Sequence, residues 1–289
     1  MKIYIKSLLR KIINGSQRTK IRRWKRHIVQ FFKKDKKTTL VELECLLRDE
    51  LGIKEGDKLI VSSSFGNLNA ADYSPRDVIE LLQSIVTDKG GIMMPYYPPM
   101  NSTEWAKTNQ VFEMSETKSG MGVITNVFSK MDGVKKSVHP TKAICYWGDG
   151  ADEMVENHES STTPFYWDSP YGKLLKSGSK SLCLGLKNIP IFHSFEDILS
   201  NHYSDYYYQE KRCLKVRLQD NSLMSIDTYV HNPTVIDRCE PAGDYVKRLS
   251  AKTYKRINFG SKYVVVVDND DLFDVVREHF VNGDTRIKK

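Results

Sequence analysis

The 289-residue chain has five cysteines, Cys45, Cys145, Cys183, Cys213 and Cys239, and no two of them form a C-x-x-C pair. A zinc knuckle and a disulfide framework both lack their usual signature, and reduced thiols in a cytoplasm fit better. No apolar run approaches the roughly 20 residues that span a bilayer. The sequence shows no apolar stretch followed by a small-residue cleavage site. The G-x-G-x-x-G spacing, the Walker lysine and the H-E-x-x-H helix are all missing. There is no internal repeat and no low-complexity segment. These absences argue against secretion, membrane spanning, a dinucleotide or P-loop site, and a resident metal.

Charge is present but unevenly placed. The whole chain carries +8, yet residues 1–37 hold 14 Lys/Arg against one acid, Asp35, and so carry +13. The remainder bears 30 basic and 35 acidic side chains and is mildly acidic at −5. In the front end Ile3, Ile5, Leu8, Leu9, Ile12 and Ile13 recur at helical spacing among lysines. Trp24, Phe31 and Phe32 follow among Arg22, Arg23, Lys25 and Arg26. A basic amphipathic helix of this kind suits an anionic membrane surface. A basic arm packed on its own protein or on a second subunit of a homo-oligomer has the same composition. Nothing later supports a nucleic-acid partner.

The remainder reads as α/β. Thr39 to Glu42 resembles a capped helix start over Leu40 to Leu51. Lys58 to Ser62 reads as a buried strand, Arg76 to Thr87 as a helix opened by Pro75, and Ile92 to Tyr97 as a second strand. Pro98 to Ser119 has no clear period. A helix from Gly120 to Met131 leads to Ser137-Val138-His139-Pro140, followed by an extended Thr141 to Tyr146. Ser181 to Leu186 reads as a strand and His193 to His202 as a helix. Beyond Tyr206 come strands at Leu214 to Leu218, Ser225 to Tyr229 and Lys262 to Val267, then a helix at Asp270 to Phe280. The expected architecture is a mixed central sheet flanked by helices, with a smaller, mostly antiparallel C-terminal lobe and a basic N-terminal helical extension. The expected segments are 1–37, an α/β core over 38–205, and a β-rich lobe with a final helix over 206–289.

Four features could carry chemistry. The Ser63-Ser64-Phe65-Gly66 turn follows a buried strand and offers small side chains and backbone N–H groups to a phosphate or a cofactor arm. His139 stands at an element boundary, and an imidazole with an ordinary pKa of about 6.5 is suited to proton transfer. His193 and Glu196 are three residues apart, which on a helix places them on one face. His158 has no partner readable from sequence. Each also has a plain structural reading, as a turn, a cap, a solvated face or a core residue.

The ordered set of motifs resembles the aminoglycoside 3-N-acetyltransferase family, which includes N-acyltransferases of nucleotide-linked amino sugars. The motifs are Val61-Ser62-Ser63-Ser64-Phe65-Gly66, Gly90-Gly91-Ile92-Met93-Met94-Pro95, and Thr117-Lys118-Ser119-Gly120-Met121-Gly122. They continue with Lys136-Ser137-Val138-His139-Pro140, His158 with Ser169-Pro170, and His193-Ser194-Phe195-Glu196. The resemblance covers about Leu59 to His202. Departures are Ser62 where the family has His, Lys118 and Gly120 in place of Pro and Asp, and Lys136 in place of Arg.

The resemblance implies transfer of an acyl group from acetyl-CoA, or another short acyl-CoA, to an amine, without a metal. It assigns Ser63, Ser64, Gly66, Thr117, Ser119, Met121 and Gly122 to the CoA side. His139 becomes the expected general base with Glu196 orienting it, and His193 joins them as a catalytic candidate. Backbone N–H groups of the Ser63-Ser64 turn are the expected oxyanion donors. Tyr96, Tyr97, Trp105, His158 and Trp167 fall on the acceptor side. These aromatics and the basic front end favour a nucleotide-linked amino sugar, handled in the cytoplasm or at a membrane surface. The first alternative is an aminoglycoside, received by Glu104, Glu113, Glu116, Asp149, Asp152, Glu153 and Glu156. The second is a non-catalytic membrane-peripheral binding protein.

Overall fold

The computed structural model describes residues 37–199, 211–249 and 254–286. The chain divides into two units, Met1–Lys37 and Thr38–Lys289, and every described helix and strand belongs to the second. The amphipathic extension expected in the front end, and its contact with a membrane, lie outside the described residues.

The first elements form where local chemistry asks for them. Thr39 caps α1 (Leu40–Cys45) with Glu42 in a reciprocal capping box, and the helix runs on as one wide turn, Leu46–Glu50. Strand β1 (Lys58–Ser63) follows, then the single turn α2 (Phe65–Leu68). Ser74 and Asp77 form a second capping box, with Pro75 at the first position of α3 (Pro75–Val86). Gly91 then opens β2 (Gly91–Pro95).

The middle of the chain is made of short pieces. These are α4 (Ser102–Thr108), β3 (Phe112–Glu113), α5 (Val123–Phe128), β4 (Lys135–Lys136), β5 (Ile144–Gly148), α6 (Ala151–Val155), α7 (Pro170–Lys176), β6 (Lys180–Leu184) and α8 (Phe192–Leu199). The C-terminal part holds β7 (Arg212–Arg217), β8 (Leu223–Thr228), α9 (Pro233–Ile236), α10 (Ala242–Leu249), β9 (Tyr254–Phe259), β10 (Lys262–Asp268) and α11 (Asn269–Val281).

A seven-stranded mixed sheet runs in the order β4-β5-β2-β1-β6-β10-β9. Its centre, β2-β1-β6, is parallel, and both flanks are antiparallel. The central strands are covered on both faces. Leu59, Val61, Ile92, Met94, Leu182 and Leu184 enter one apolar core, while Ile60, Met93 and Cys183 enter the other. Strand side chains alternate, so two covered faces require unbroken apolar runs. A second sheet, β3-β7-β8, has three strands. The segment 206–289 is divided between the two sheets: β7 and β8 form most of the small one, and β10 extends the large one from β6. Helix α4 lies inside the stretch that shows no period in the sequence.

Candidate active site

Strands β2, β1 and β6 end on one edge, with a parallel neighbour on each side of β1. The crevice beyond such carboxyl ends is the usual ligand position in open α/β sheets. Two cavities lie there. The smaller, about 250 Å³, is lined by Ser62 and Ser63 of β1, Pro95 at the end of β2, Asn188 and Pro190 after β6, and Arg286. The larger, about 550 Å³, is lined by residues 98–103, Thr141, Lys142, His231, Pro233 and Asp237. Tyr97, Gly120, Met121 and His193 line both.

His193 therefore stands where the two cavities meet. It sits in the first turn of α8, and its Nδ1 lies 3.1 Å from Oε2 of Glu196, one turn on. Glu196 is 1% exposed. Its Oε1 accepts from Nε of Arg286 at 2.6 Å and is also gripped by Nη2 of the same guanidinium. Arg286 is fixed in turn by its Nη1, which donates to the Glu240 carbonyl at 2.8 Å, and by the Phe192 ring beneath it. An ionised carboxylate only accepts, so Nδ1 carries the imidazole proton and Nε2 keeps a lone pair. Burial pulls His193 below the ordinary imidazole value, and Glu196 offsets only part of that. Burial would raise Glu196, but Arg286 and His193 outweigh it and leave the carboxyl below its usual range. The ring is stacked on Phe165 at 5.0 Å between centroids. The result is a neutral imidazole, held from behind by a carboxylate and a guanidinium.

His139 is placed differently. It is 1% exposed and lines neither cavity. Its Nδ1 accepts the backbone N–H groups of Thr141 (3.1 Å) and Lys142 (2.9 Å), so Nε2 carries the proton and faces Oγ1 of Thr228 at 3.0 Å. Both nitrogens are occupied. The expected His139–Glu196 pair is thus corrected: the tight turn into β5 needs an acceptor for two N–H groups, His139 supplies it, and Glu196 serves His193. His158 is fully buried. It accepts from Ser137 Oγ at Nδ1 (2.8 Å), donates from Nε2 to the Pro164 carbonyl (3.1 Å), and packs 4.6 Å from His139. It lines neither cavity, so its position is that of a core residue rather than a substrate contact.

On the CoA side, Ser63 and Met121 line the smaller cavity. Gly122, just before α5, has φ +113°, a backbone conformation that favours glycine, with the Ser63 carbonyl nearby. Ser119 frames the same loop: its Oγ accepts from the Met121 N–H at 3.1 Å. Thr117 accepts from the Glu113 N–H through Oγ1 and from Tyr96 Oη through its carbonyl. Ser64 and Gly66 line neither cavity. The Ser64 N–H donates to the Leu184 carbonyl at 2.8 Å, which removes it as an oxyanion donor.

On the acceptor side only Tyr97 reaches the cavities. Its Oη shares a hydrogen bond with Tyr171 at 2.8 Å. Tyr96 and Trp105 are core residues, 3% and 4% exposed, packed edge-on against Phe112. Trp167 packs against Phe273 under Lys176. None of the seven acids expected to receive a polycation lines either cavity. Glu113 pairs with Arg217, Asp149 with Lys58 and Asp152 with Lys135.

The sequence did not point to Arg286, Lys142, His231 or Phe165. Arg286 lies 90 positions from the carboxylate it holds, and no local pattern announces it. Lys142 was within reach as the second residue after His139-Pro140. Among the described residues no three His, Cys, Asp or Glu side chains gather as a metal set, and no helix is long and apolar enough to cross a membrane.

Known proteins share this fold. The family model described as aminoglycoside 3-N-acetyltransferase matches residues 60–281. A prophage-derived aminoglycoside N(3')-acetyltransferase-like protein of Bacillus subtilis, YokD, is 28% identical over 47% of this chain and 56% of its own length. An aminoglycoside N(3)-acetyltransferase III of Salmonella sp is 24% identical over 52% of this chain and 57% of its own. The chain thus spans little more than half the length of these curated relatives. Among solved structures, the aminoglycoside acetyltransferase AAC(3)-IIb superimposes with a TM-score of 0.71 at 14% identity, covering 86% of this chain and 98% of that one. AAC-IIIb, solved as a binary complex with CoASH, gives 0.68 at 16% identity, covering 88% and 100%. At such identities the superpositions establish the shared fold.

Proposed function

Because the chain belongs to the aminoglycoside 3-N-acetyltransferase family, we propose that it transfers an acyl group from acyl-CoA to the amine of an amino sugar, with His193 as general base. The observation that carries this reading is the junction of two cavities at a neutral histidine whose far nitrogen is held by a buried carboxylate. Relatives named as aminoglycoside acetyltransferases support an aminoglycoside-type amine better than a nucleotide-linked one, for which none of them speaks.

In this reading the pantetheine arm follows the smaller cavity past Ser63 and Met121, with Gly122 next in the chain, and the acceptor fills the larger. Nε2 of His193 takes a proton from the acceptor nitrogen as that nitrogen bonds to the acyl carbon. Glu196 stabilises the imidazolium that forms. The carbon–sulfur bond breaks, and the departing sulfur receives the proton from His193, which restores the neutral base. No covalent enzyme intermediate is needed. Cys183, on β6, has its thiol pushed up to about 12 by burial and donates to the Asn188 carbonyl.

The test is release of CoA thiol from acetyl-CoA, with aminoglycosides and simple amino sugars as acceptors. Positioned base catalysis is worth about 10²–10⁴-fold, so His193→Asn is expected to lower kcat by that factor. Near-normal turnover in the variant removes His193 from the mechanism. A folded wild-type protein that releases thiol with no acceptor removes the acyltransferase reading itself, in favour of a binding protein on the same fold.

A further inference from the structure

We propose that Arg286 is a positioning residue for the reaction: it clamps Glu196 so that His193 presents an unprotonated Nε2 to the acceptor. This rests on reading His193 as the base of an acyl transfer and deepens that reading.

Arg286 follows α11 and reaches the site along a short segment that is tied down at each step. The Asp284 N–H donates to the His279 carbonyl at 2.9 Å, and His279 Nδ1 lies 2.8 Å from Asp284 Oδ2. Tyr245 Oη of α10 donates to the Asp284 carbonyl at 2.8 Å. The Glu240 N–H donates to the Arg286 carbonyl at 2.7 Å, and Arg286 Nη1 returns a bond to the Glu240 carbonyl at 2.8 Å. The Phe192 ring lies 5.1 Å from the guanidinium. Nε and Nη2 both go to Oε1 of Glu196, which leaves Oε2 for His193. With one oxygen taken from each side, the carboxylate cannot turn. Arg286 also lines the smaller cavity, but all three guanidinium nitrogens are turned to protein acceptors.

A carboxylate buried alone takes up a proton. A protonated Glu196 would donate to Nδ1 and leave the imidazole proton on Nε2, where no lone pair remains for the acceptor. Burial raises Glu196, and Arg286 is the largest cause opposing it. Burial lowers His193 most, and Arg286 and Lys142 lower it further. Other titratable groups around the pair are neutral at pH 7 or turned away. His231, with its ring 5.2 Å from that of His193, is held well below the ordinary imidazole value by burial. Cys239 is pushed up to about 11 and Tyr97 is raised, both by burial. Asp197, next on α8, accepts from Thr163 Oγ1. Loss of Arg286 therefore removes the positive charge in direct contact with the pair, and the pair takes its proton at higher pH. Loss of Glu196 has the opposite sign.

The experiment uses the full chain with acetyl-CoA and an aminoglycoside. Arg286→Met is expected to lower kcat about 10²-fold, the scale of a misplaced catalytic group, with KM for acetyl-CoA little changed. The acid limb of kcat/KM is expected to move to higher pH, the reverse of Glu196→Gln. Millimolar guanidinium chloride should restore part of kcat, and sodium chloride at equal ionic strength should not. Arg286→Lys keeps the charge and should leave the acid limb near its wild-type position. Arg286→Met combined with Glu196→Gln leaves no buried charge unpaired, and its kcat should match that of Glu196→Gln alone. If Arg286→Met does not fold, this double variant decides alone. Losses that multiply in the double variant overturn the proposal. So does an acid limb that stays or moves to lower pH in Arg286→Met, or a defect confined to KM for acetyl-CoA. Imidazole NMR of His193 reads the same titration without turnover. If its midpoint rises in Arg286→Met while no acceptor releases thiol from the wild type, the clamp stands and the acyltransferase reading falls.

Discussion

The base is set by one contact that sequence could anticipate and one that it could not. His193 and Glu196 are three apart on an amphipathic helix, and that spacing alone places them on a common face. Arg286 arrives from the far end of the chain, and it keeps a fully buried carboxylate ionised. Choosing between His139 and His193 needed geometry. A histidine beside a proline and a histidine before Phe and Glu look equally eligible until the ring nitrogens can be counted. Glu196→Gln tests the arrangement. The carboxylate raises His193, so its loss moves the imidazole further down. The acid limb of the kcat/KM profile, already below 6.5 in the wild type, is expected to shift to lower pH in the variant while the plateau drops. The same change replaces the carboxylate against the buried Arg286 guanidinium by a neutral amide. Removing one partner of a buried pair costs about 3–5 kcal/mol, readable as a lower urea midpoint. An acid limb that stays in place would separate Glu196 from the base.

At the level of elements, the parallel strands were readable because both of their faces are covered. Leu59 to Val61 and Leu182 to Leu184 are apolar without alternation, and a Ser, Lys or Gly stands on either side of each run. Helix α4 was not readable: it is seven residues long, polar outside, and held by the Asn101 cap and by Trp105 in the core. Strand β9 is an edge strand with none of its six side chains fully buried and charges at Lys255 and Arg256, so it gives little apolar signal. The turn between β4 and β5 contains His139, whose work is to accept two backbone N–H groups. His139→Ala strands both donors inside the protein. A buried group left unsatisfied costs about 1–3 kcal/mol. The variant is expected to unfold at correspondingly lower urea, with kcat reduced far less than in His193→Asn. Equal losses of kcat in the two variants would return His139 to the chemistry.

For the whole molecule, the buried histidines link the two sheets. His139 from the β4–β5 turn bonds Thr228 at the end of β8, and His158 packs on His139. His231 follows β8, and its carbonyl accepts from Thr103 of α4 at 2.7 Å. Burial holds His139 and His231 well below the ordinary imidazole value and brings His158 to about 3. The native state therefore refuses protons that the unfolded chain accepts below about 6.5. Stability from these groups is complete above that pH and is lost as pH falls. Between pH 6.5 and 5.5 each such histidine removes about 1 kcal/mol, and the three together about 3 kcal/mol. Glu196 contributes little in this window, since Arg286 and His193 hold its carboxyl below the usual range. The urea midpoint is expected to fall accordingly between those pH values. Amide exchange is expected to rise first in β7 and β8, which pack on the main body through this seam. A midpoint that stays constant across the window, or exchange that rises first in β1 and β6, would show that the seam does not bear the proton-linked stability of the fold.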